Sequence, residues 1–266
     1  MKFRKPMRLL ILMATAIVAF GNAAHADTLE NIKQTKKIRI GIDLGVPPYG
    51  MIDEKVQPGG LDVEVARLLA QDLGAEIVFV PTVGATRIPN LQTGKADLII
   101  STLSITPERA KVIDFSVPYT PIQTIVAAPK SINIKSMADL AGKTVKTSRG
   151  TGMDMQLTRE AKGATIVRYE DDATLTTAAV TGQAEIIGTT NTAMYVINQK
   201  KPPQIFEQKF VMSNFLAAVG VRKDEPQLLN WVNNWVKTNL KNGKLNAIFK
   251  KYFDQDLPEE ILAGGR

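Results

Sequence analysis

Ser101, Thr102 and Ser104 follow the apolar run Leu98-Ile99-Ile100, and Arg109 closes the same stretch, STLSITPER. The apolar run reads as a strand buried on both faces, so a cluster of hydroxyls stands at its end. Thr106 suits a helix N-cap and Pro107 the first helical position, where its missing N–H costs nothing. Arg109 then falls in the first turn, where a cation adds to about half a positive charge from unpaired N–H groups. An anion placed there relieves both. The alternative is an arginine solvated beside Glu108, and this stretch alone leaves both readings open.

The rest of the chain narrows the chemistry. The 266 residues begin MKFRKPMRLLILMATAIVAFGNAAHA, four basic residues, an apolar run and a small-x-small ending. This reads as a secretory signal peptide, residues 1–26, too short in its apolar part for a confident membrane span; a retained anchor is the alternative. Cleavage before Asp27 leaves 240 of the 266 residues. The formal charge of +7 counts 33 Lys and Arg against 26 Asp and Glu; without the four basic residues of the signal, 29 remain against 26. So small an excess, spread along the chain, argues against nucleic acid as a partner. The chain's one histidine, His25, leaves with the signal, and cysteine is absent. Ser-His-Asp and Cys-His catalysis and His or Cys metal sites are thereby excluded, and neither metal nor cofactor is expected. With no disulfide, the exported chain depends on its core, for which 44% apolar composition suffices in one or two domains.

Several elements must position the hydroxyls and the arginine. After a short polar lead-in comes the strand KIRIGID, followed by the Gly- and Pro-rich loop LGVPPYGMIDEKVQPGG. Residues 61–73 carry Leu61, Val65, Leu68 and Leu69 at helical spacing and stop at Gly74; AEIVFV is the next strand, 86–92 a short helix, and ADLII a strand. Helices at 136–140, 153–161 and 173–180 alternate with the strands KTVKT and ATIVRY. Such alternation predicts a parallel sheet of the α/β class. The segment TGKADLIIST at 93–102 recurs as TGQAEIIGTT at 181–190, which suggests two similar α/β lobes. Ligands of open parallel sheets sit outside the carboxyl ends of the strands, so Thr102 and Thr190 are expected at equivalent rims of one cleft. FLAAVGV is a strand and 226–240 and 244–253 are helices; Trp231 and Trp235, four apart, read as packing anchors, and the basic run 237–251 as a solvated face.

GIDLGVPPYG, GLDVEVARLLAQDLG, LQTGKADLIISTLSITPERAKVIDFSVPY and GKLNAIFKKYFD resemble, in order and spacing, the periplasmic amino-acid-binding proteins of ABC importers, over essentially all of 27–256. The resemblance implies an α/β, two-lobed, periplasmic-binding-protein-like (type II) fold with two hinge crossings, near 122–126 and 214–217. One lobe would comprise 27–122 and 217–266, the other 123–216. It implies that Arg109 clamps a ligand carboxylate with Ser101, Thr102 and Ser104, and that backbone N–H groups at Thr151 and Gly152 meet the same carboxylate. Asp43 matches an acid that meets the ligand side chain, and Tyr49 could wall the site or belong to the core. The family's acid for the ligand ammonium falls at Thr190, followed by Asn191, and its aromatic sandwich falls at Val46 and Gly84; neither pattern is kept here.

The expected protein is a periplasmic monomer that binds an amino acid or related small carboxylate and delivers it to an inner-membrane ABC permease. Two other readings stand beside it. One is an enzyme like the cyclohexadienyl dehydratases, which resemble these receptors; its general acid would be a carboxylate such as Asp43, and no carboxylate pair is expected at the rim. The other is an organic-acid receptor, suggested by Thr190. The exported protein is predicted to begin at Asp27, so its intact mass should correspond to 27–266; periplasmic protein retaining residues 1–26 would contradict this.

Overall fold

The structure, a computed structural model, describes residues 27–265, so the expected signal segment, 1–26, lies outside the described residues. The chain begins with α1 (Thr28–Thr35), β1 (Lys37–Ile42), the short strands β2 (Met51–Ile52) and β3 (Pro58–Gly59), α2 (Leu61–Leu73), β4 (Glu76–Pro81), α3 (Arg87–Gln92), β5 (Leu98–Ile99) and α4 (Pro107–Ala110). It continues through β6 (Ile113–Pro129), β7 (Thr144–Ser148), α5 (Gly152–Glu160), β8 (Thr165–Tyr169), α6 (Asp172–Val180), β9 (Ile187–Thr190), α7 (Asn191–Gln199) and β10 (Phe206–Arg222), then α8 (Pro226–Lys241), α9 (Lys244–Phe253) and α10 (Glu259–Leu262).

The helices follow their apolar spacing. Leu61, Val65 and Leu69 are buried on one face of α2, and Leu245 and Phe249 on one face of α9. The polar lead-in, given no secondary structure from the sequence, is a helix: Asp27 caps α1 by accepting from the Leu29 N–H, and Leu29 and Ile32 anchor its apolar side. Two buried contacts in so polar a segment give little periodicity to read. Trp235 is buried and donates its indole N–H to Asp72 at 2.8 Å, as a packing anchor.

The principal sheet runs β4-β1-β5-β10-β6-β9-β7-β8. β1 is parallel to β4 and β5, and β7 to β8 and β9, as the alternation of strands and helices predicts. The sheet as a whole is mixed, because β6 and β10 run antiparallel to each other through its middle. Pro118 and Pro121 hide β6 in the sequence, since proline cannot donate to a ladder. They are tolerated because this half of β6 pairs on one side only, with β10, and register shifts flank Ala218 opposite Pro118.

Buried side chains gather on either side of this ribbon. One large core joins α1, β1 and α2 to Tyr119, Ile122 and the helices after β10, with Leu91, Ile99, Leu103 and Ile113 as a satellite. Two smaller cores, around Ile125 and Leu175 and around Val126 and Leu157, draw on residues between 125 and 206. The expected crossing segments lie against each other where the cores separate: Ile122 is paired with Phe215 and Gln123 with Asn214.

Leu98 is fully buried at the centre of the larger core, immediately before the hydroxyl-bearing loop. Leu98→Ala is expected to lower unfolding stability by about 2–5 kcal/mol, checked by urea denaturation; a loss below about 1 kcal/mol would mean that the neighbours collapse into the void.

Candidate functional site

Between the two groups of cores lies a partly enclosed cavity lined by Val46, Arg87, Thr102, Ser104 and Ile122 from one side and by Thr151, Gly152, Met153, Asp172 and Thr190 from the other. About 20 Å³ of it is open to the centre of a water molecule, roughly what a single water needs. A space of this size is too small for an amino acid. Thr102 and Thr190, the ends of the repeated segment, do meet at this one cavity.

Thr102 has a backbone φ of 42°, in the left-handed region that a β-branched residue rarely enters. Asp62, at the start of α2, holds it there: its Oδ2 accepts the Thr102 N–H at 2.7 Å, and its Oδ1 accepts the Tyr119 hydroxyl at 2.7 Å. Burial raises the Asp62 pKa to about 6, against the lowering effect of these two donors.

Arg87, at the start of α3, ties the rest of the loop together. Its Nη2 donates to Asp43 Oδ2 at 3.0 Å and to the Thr102 hydroxyl at 3.2 Å, and its Nε donates to the Ser101 hydroxyl at 3.2 Å. Both members of the Arg87–Asp43 ion pair are buried. Asp43 also accepts the Gly45 N–H, so its carboxylate is engaged within the chain. A wider groove of about 500 Å³ runs past Asp43, bounded by Thr82, Thr86 and Ala173.

Thr106 accepts from the Arg109 N–H and Pro107 opens α4, as the sequence predicts. The Arg109 guanidinium is buried; its Nη1 donates to the Ser104 carbonyl and its Nη2 to the Gly150 carbonyl, each at 2.9 Å. Among the described residues no carboxylate pairs with it, and burial, then the neighbouring Arg87, lowers its pKa to about 9. The buried cation is thus hydrogen-bonded to neutral carbonyls, an arrangement that a nearby anion would stabilise. The first turn of α5 adds its N–H groups: Thr151 caps the helix by accepting from the Asp154 N–H, and Gly152 opens it at the cavity wall.

The expected residues do not all converge. Thr102, Ser104, Thr151, Gly152 and Thr190 line the cavity, with Ser101, Asp43 and Arg109 hydrogen-bonded to its walls. Tyr49 is a core residue, its ring 5.3 Å from that of Phe253 and its hydroxyl on the Pro121 carbonyl. Asn191 is exposed and borders a different pocket, with Gln123 and Asn214. Gly84 has no room for an aromatic side chain, because a Cβ there would meet the Arg149 carbonyl oxygen at 2.5 Å. Arg87, Asp62 and Asp172 were missed. Asp172 carried a faint signal, as the second acid of Glu170-Asp171-Asp172 at a helix start. It also revises the expectation of no carboxylate pair at the rim, since Asp43 and Asp172 interact electrostatically across the cleft and burial, then Asp43, raises the Asp172 pKa to about 6.

The sequence of residues 38–255 matches the model of the bacterial extracellular solute-binding proteins, family 3. The chain belongs to this family. It is 29% identical to the L-cystine-binding protein TcyJ of Escherichia coli K12 over 250 residues, 92% of this chain and 94% of that one. Among solved structures it is similar to the L-cysteine solute receptor of Neisseria gonorrhoeae, at 31% identity and a TM-score of 0.78 over 85% of this chain and 93% of that one. The ancestral amino-acid-binding protein AncCDT-1, described as a precursor of cyclohexadienyl dehydratase, matches at 33% identity and a TM-score of 0.75, over 86% of this chain and all of that one. These neighbours share the two-lobed fold.

Asp62 provides a pH test of the loop's support. Its folded pKa near 6 lies above the ordinary value of 3.8, so the folded state holds the extra proton between about pH 4 and 6. Stability from this group is therefore present at low pH and is lost as pH rises through about 6. The stability advantage of wild type over Asp62→Asn should shrink by up to about 3 kcal/mol across that window, by urea denaturation at several pH values. A constant difference would show that Asp62 does not titrate there.

Proposed function

We propose that this protein is an extracytoplasmic receptor that closes two lobes around an amino acid with a polar side chain and delivers it to an ABC permease in the inner membrane. In this reading it is a periplasmic monomer with lobes 27–122 plus 217–266 and 123–216. The separation of the buried cores near these limits supports the division. The observation that carries the function is Arg109, a buried guanidinium with no carboxylate in an ion pair among the described residues, which donates to the carbonyl of Ser104, on one wall of the interlobe cavity, and to that of Gly150, just before Thr151 and Gly152 on the other. A ligand carboxylate supplies the missing charge, and the groups that meet it come from both lobes, so binding and closure are one event. Family relatives named for binding cystine, glutamine and arginine support an amino acid as that carboxylate.

A second reading, an elimination enzyme on the same scaffold, is favoured by Asp172: a buried acid with a pKa near 6 is suited to general-acid chemistry. The receptor is the better reading, because Asp43, the neighbouring carboxylate, is held by Arg87 and cannot serve as a free partner in proton transfer. Incubation with prephenate and with arogenate is expected to give no turnover; product above the buffer control would favour the enzyme.

A thermal-shift screen of the twenty proteinogenic amino acids and L-cystine is expected to reveal at least one stabilising ligand, since a ligand bound only by the folded state raises the melting temperature. For that ligand, Arg109→Ala should cost about 3 kcal/mol of binding, roughly a hundredfold in affinity. Calorimetry showing less than a fivefold loss would remove Arg109 from the site.

A further inference from the structure

Every acid near the cavity except one is already occupied. Asp43 is paired with Arg87 and accepts the Gly45 N–H. Both oxygens of Asp62 are taken, by the Thr102 N–H and the Tyr119 hydroxyl. Asp172 is different. It is 8% exposed and lines the cavity, and its Oδ1 accepts the Ser148 hydroxyl at 2.9 Å. Among the described residues its Oδ2 accepts no hydrogen bond, and no Lys or Arg forms an ion pair with it. Thr190 lines the same wall, but it is uncharged and its hydroxyl is engaged with the Ala193 N–H, at 3.1 Å, and the Thr192 hydroxyl, at 2.9 Å.

We infer that Asp172, on α6, holds the ammonium group of the bound amino acid, and that the preferred solute is a zwitterion with an uncharged side chain. This rests on the receptor reading above. Among the described residues, Arg109 behind the cavity wall and Asp172 on the wall have no ion-pair partner, and the one ion pair at the wall is Arg87–Asp43, whose guanidinium also attracts Asp172 from across the cleft. A zwitterion supplies one charge of each sign and leaves nothing buried unpaired. A second cation on the ligand finds Asp43 already neutralised by Arg87, and a second anion finds no further free guanidinium at the walls. Ser148 fixes the Asp172 carboxylate, so the group is oriented before the ligand arrives.

The test compares each amino acid bound in the screen with its deamino analogue, such as L-cysteine with 3-mercaptopropionate and L-glutamine with glutaramate, with L-arginine and L-glutamate as charged controls. Calorimetry is run on wild type, Asp172→Asn and Asp172→Glu, with thermal unfolding of each variant as a check on folding. The asparagine variant is expected to lose at least tenfold in affinity for the amino acid while binding of the deamino acid stays within twofold; the glutamate variant should recover part of the loss. Arginine and glutamate should bind wild type at least tenfold more weakly than the preferred amino acid. Equal loss for both members of a pair would make Asp172 a closing contact only, and no change for either would place the ammonium elsewhere; each overturns the inference while leaving the receptor reading intact. Failure of wild type to bind any member of the panel would overturn the receptor reading, and this inference with it.

Discussion

The antiparallel pairing of β6 with β10 is the constraint on which the rest of the molecule depends. The chain leaves its first core along β6 and returns to it along β10, so among the described residues these two strands are the covalent path between the groups of cores. Each side has buried cores of its own, but the cavity takes residues from both. Thr102, Ser104 and Arg87 stand on one side, and Thr151, Gly152, Asp172 and Thr190 on the other. In the proposed receptor, a site divided in this way is complete only when the ribbon brings its halves together, and it would admit a solute when the ribbon lets them part.

Electrostatics gives that motion a direction. In the structure the Arg109 guanidinium is buried against two carbonyls and the Asp172 carboxylate against one hydroxyl, and in the proposed closing motion these are the charges that leave water. Removing an uncompensated charge from water costs several kcal/mol even after relaxation, so the closed form without solute carries an opposing energy that a matching ligand removes. The Arg87–Asp43 pair plays the opposite part. Both of its charges lie within one lobe, so it is satisfied whether the cleft is open or closed, and it holds Ser101 and Thr102 in place meanwhile. Asp62 and Tyr119 do the same for the left-handed backbone of Thr102. These contacts hold the rim within one side of the cleft, so in the proposed closure the energetic change falls on Arg109 and Asp172.

Much of this was legible in local patterns. The N-cap at Thr106, the helical faces of α2 and α9 and the repeated segment ending at Thr102 and Thr190 are short-range features, and each lies where its pattern places it. The long strands were obscured because Pro118 and Pro121 read as breaks, whereas an edge position and a bulge absorb them. The ion pair between Asp43 and Arg87 and the approach of Asp172 to Asp43 join residues distant in sequence, and nothing near any of the three announces its partner. Tyr49 illustrates the reverse case: its neighbourhood suggests a ligand wall, while Phe253, brought in from the far end of the chain, claims its ring for the core.

The account is tested most directly by small-angle scattering of the ligand-free protein before and after addition of a bound amino acid. If closure leaves Arg109 and Asp172 uncompensated, the free protein should populate an open form, and saturating ligand should shift the profile to that of the compact closed structure with a smaller radius of gyration. Superimposable profiles, with the free protein already closed, would show that the buried charges do not oppose closure and would contradict the account.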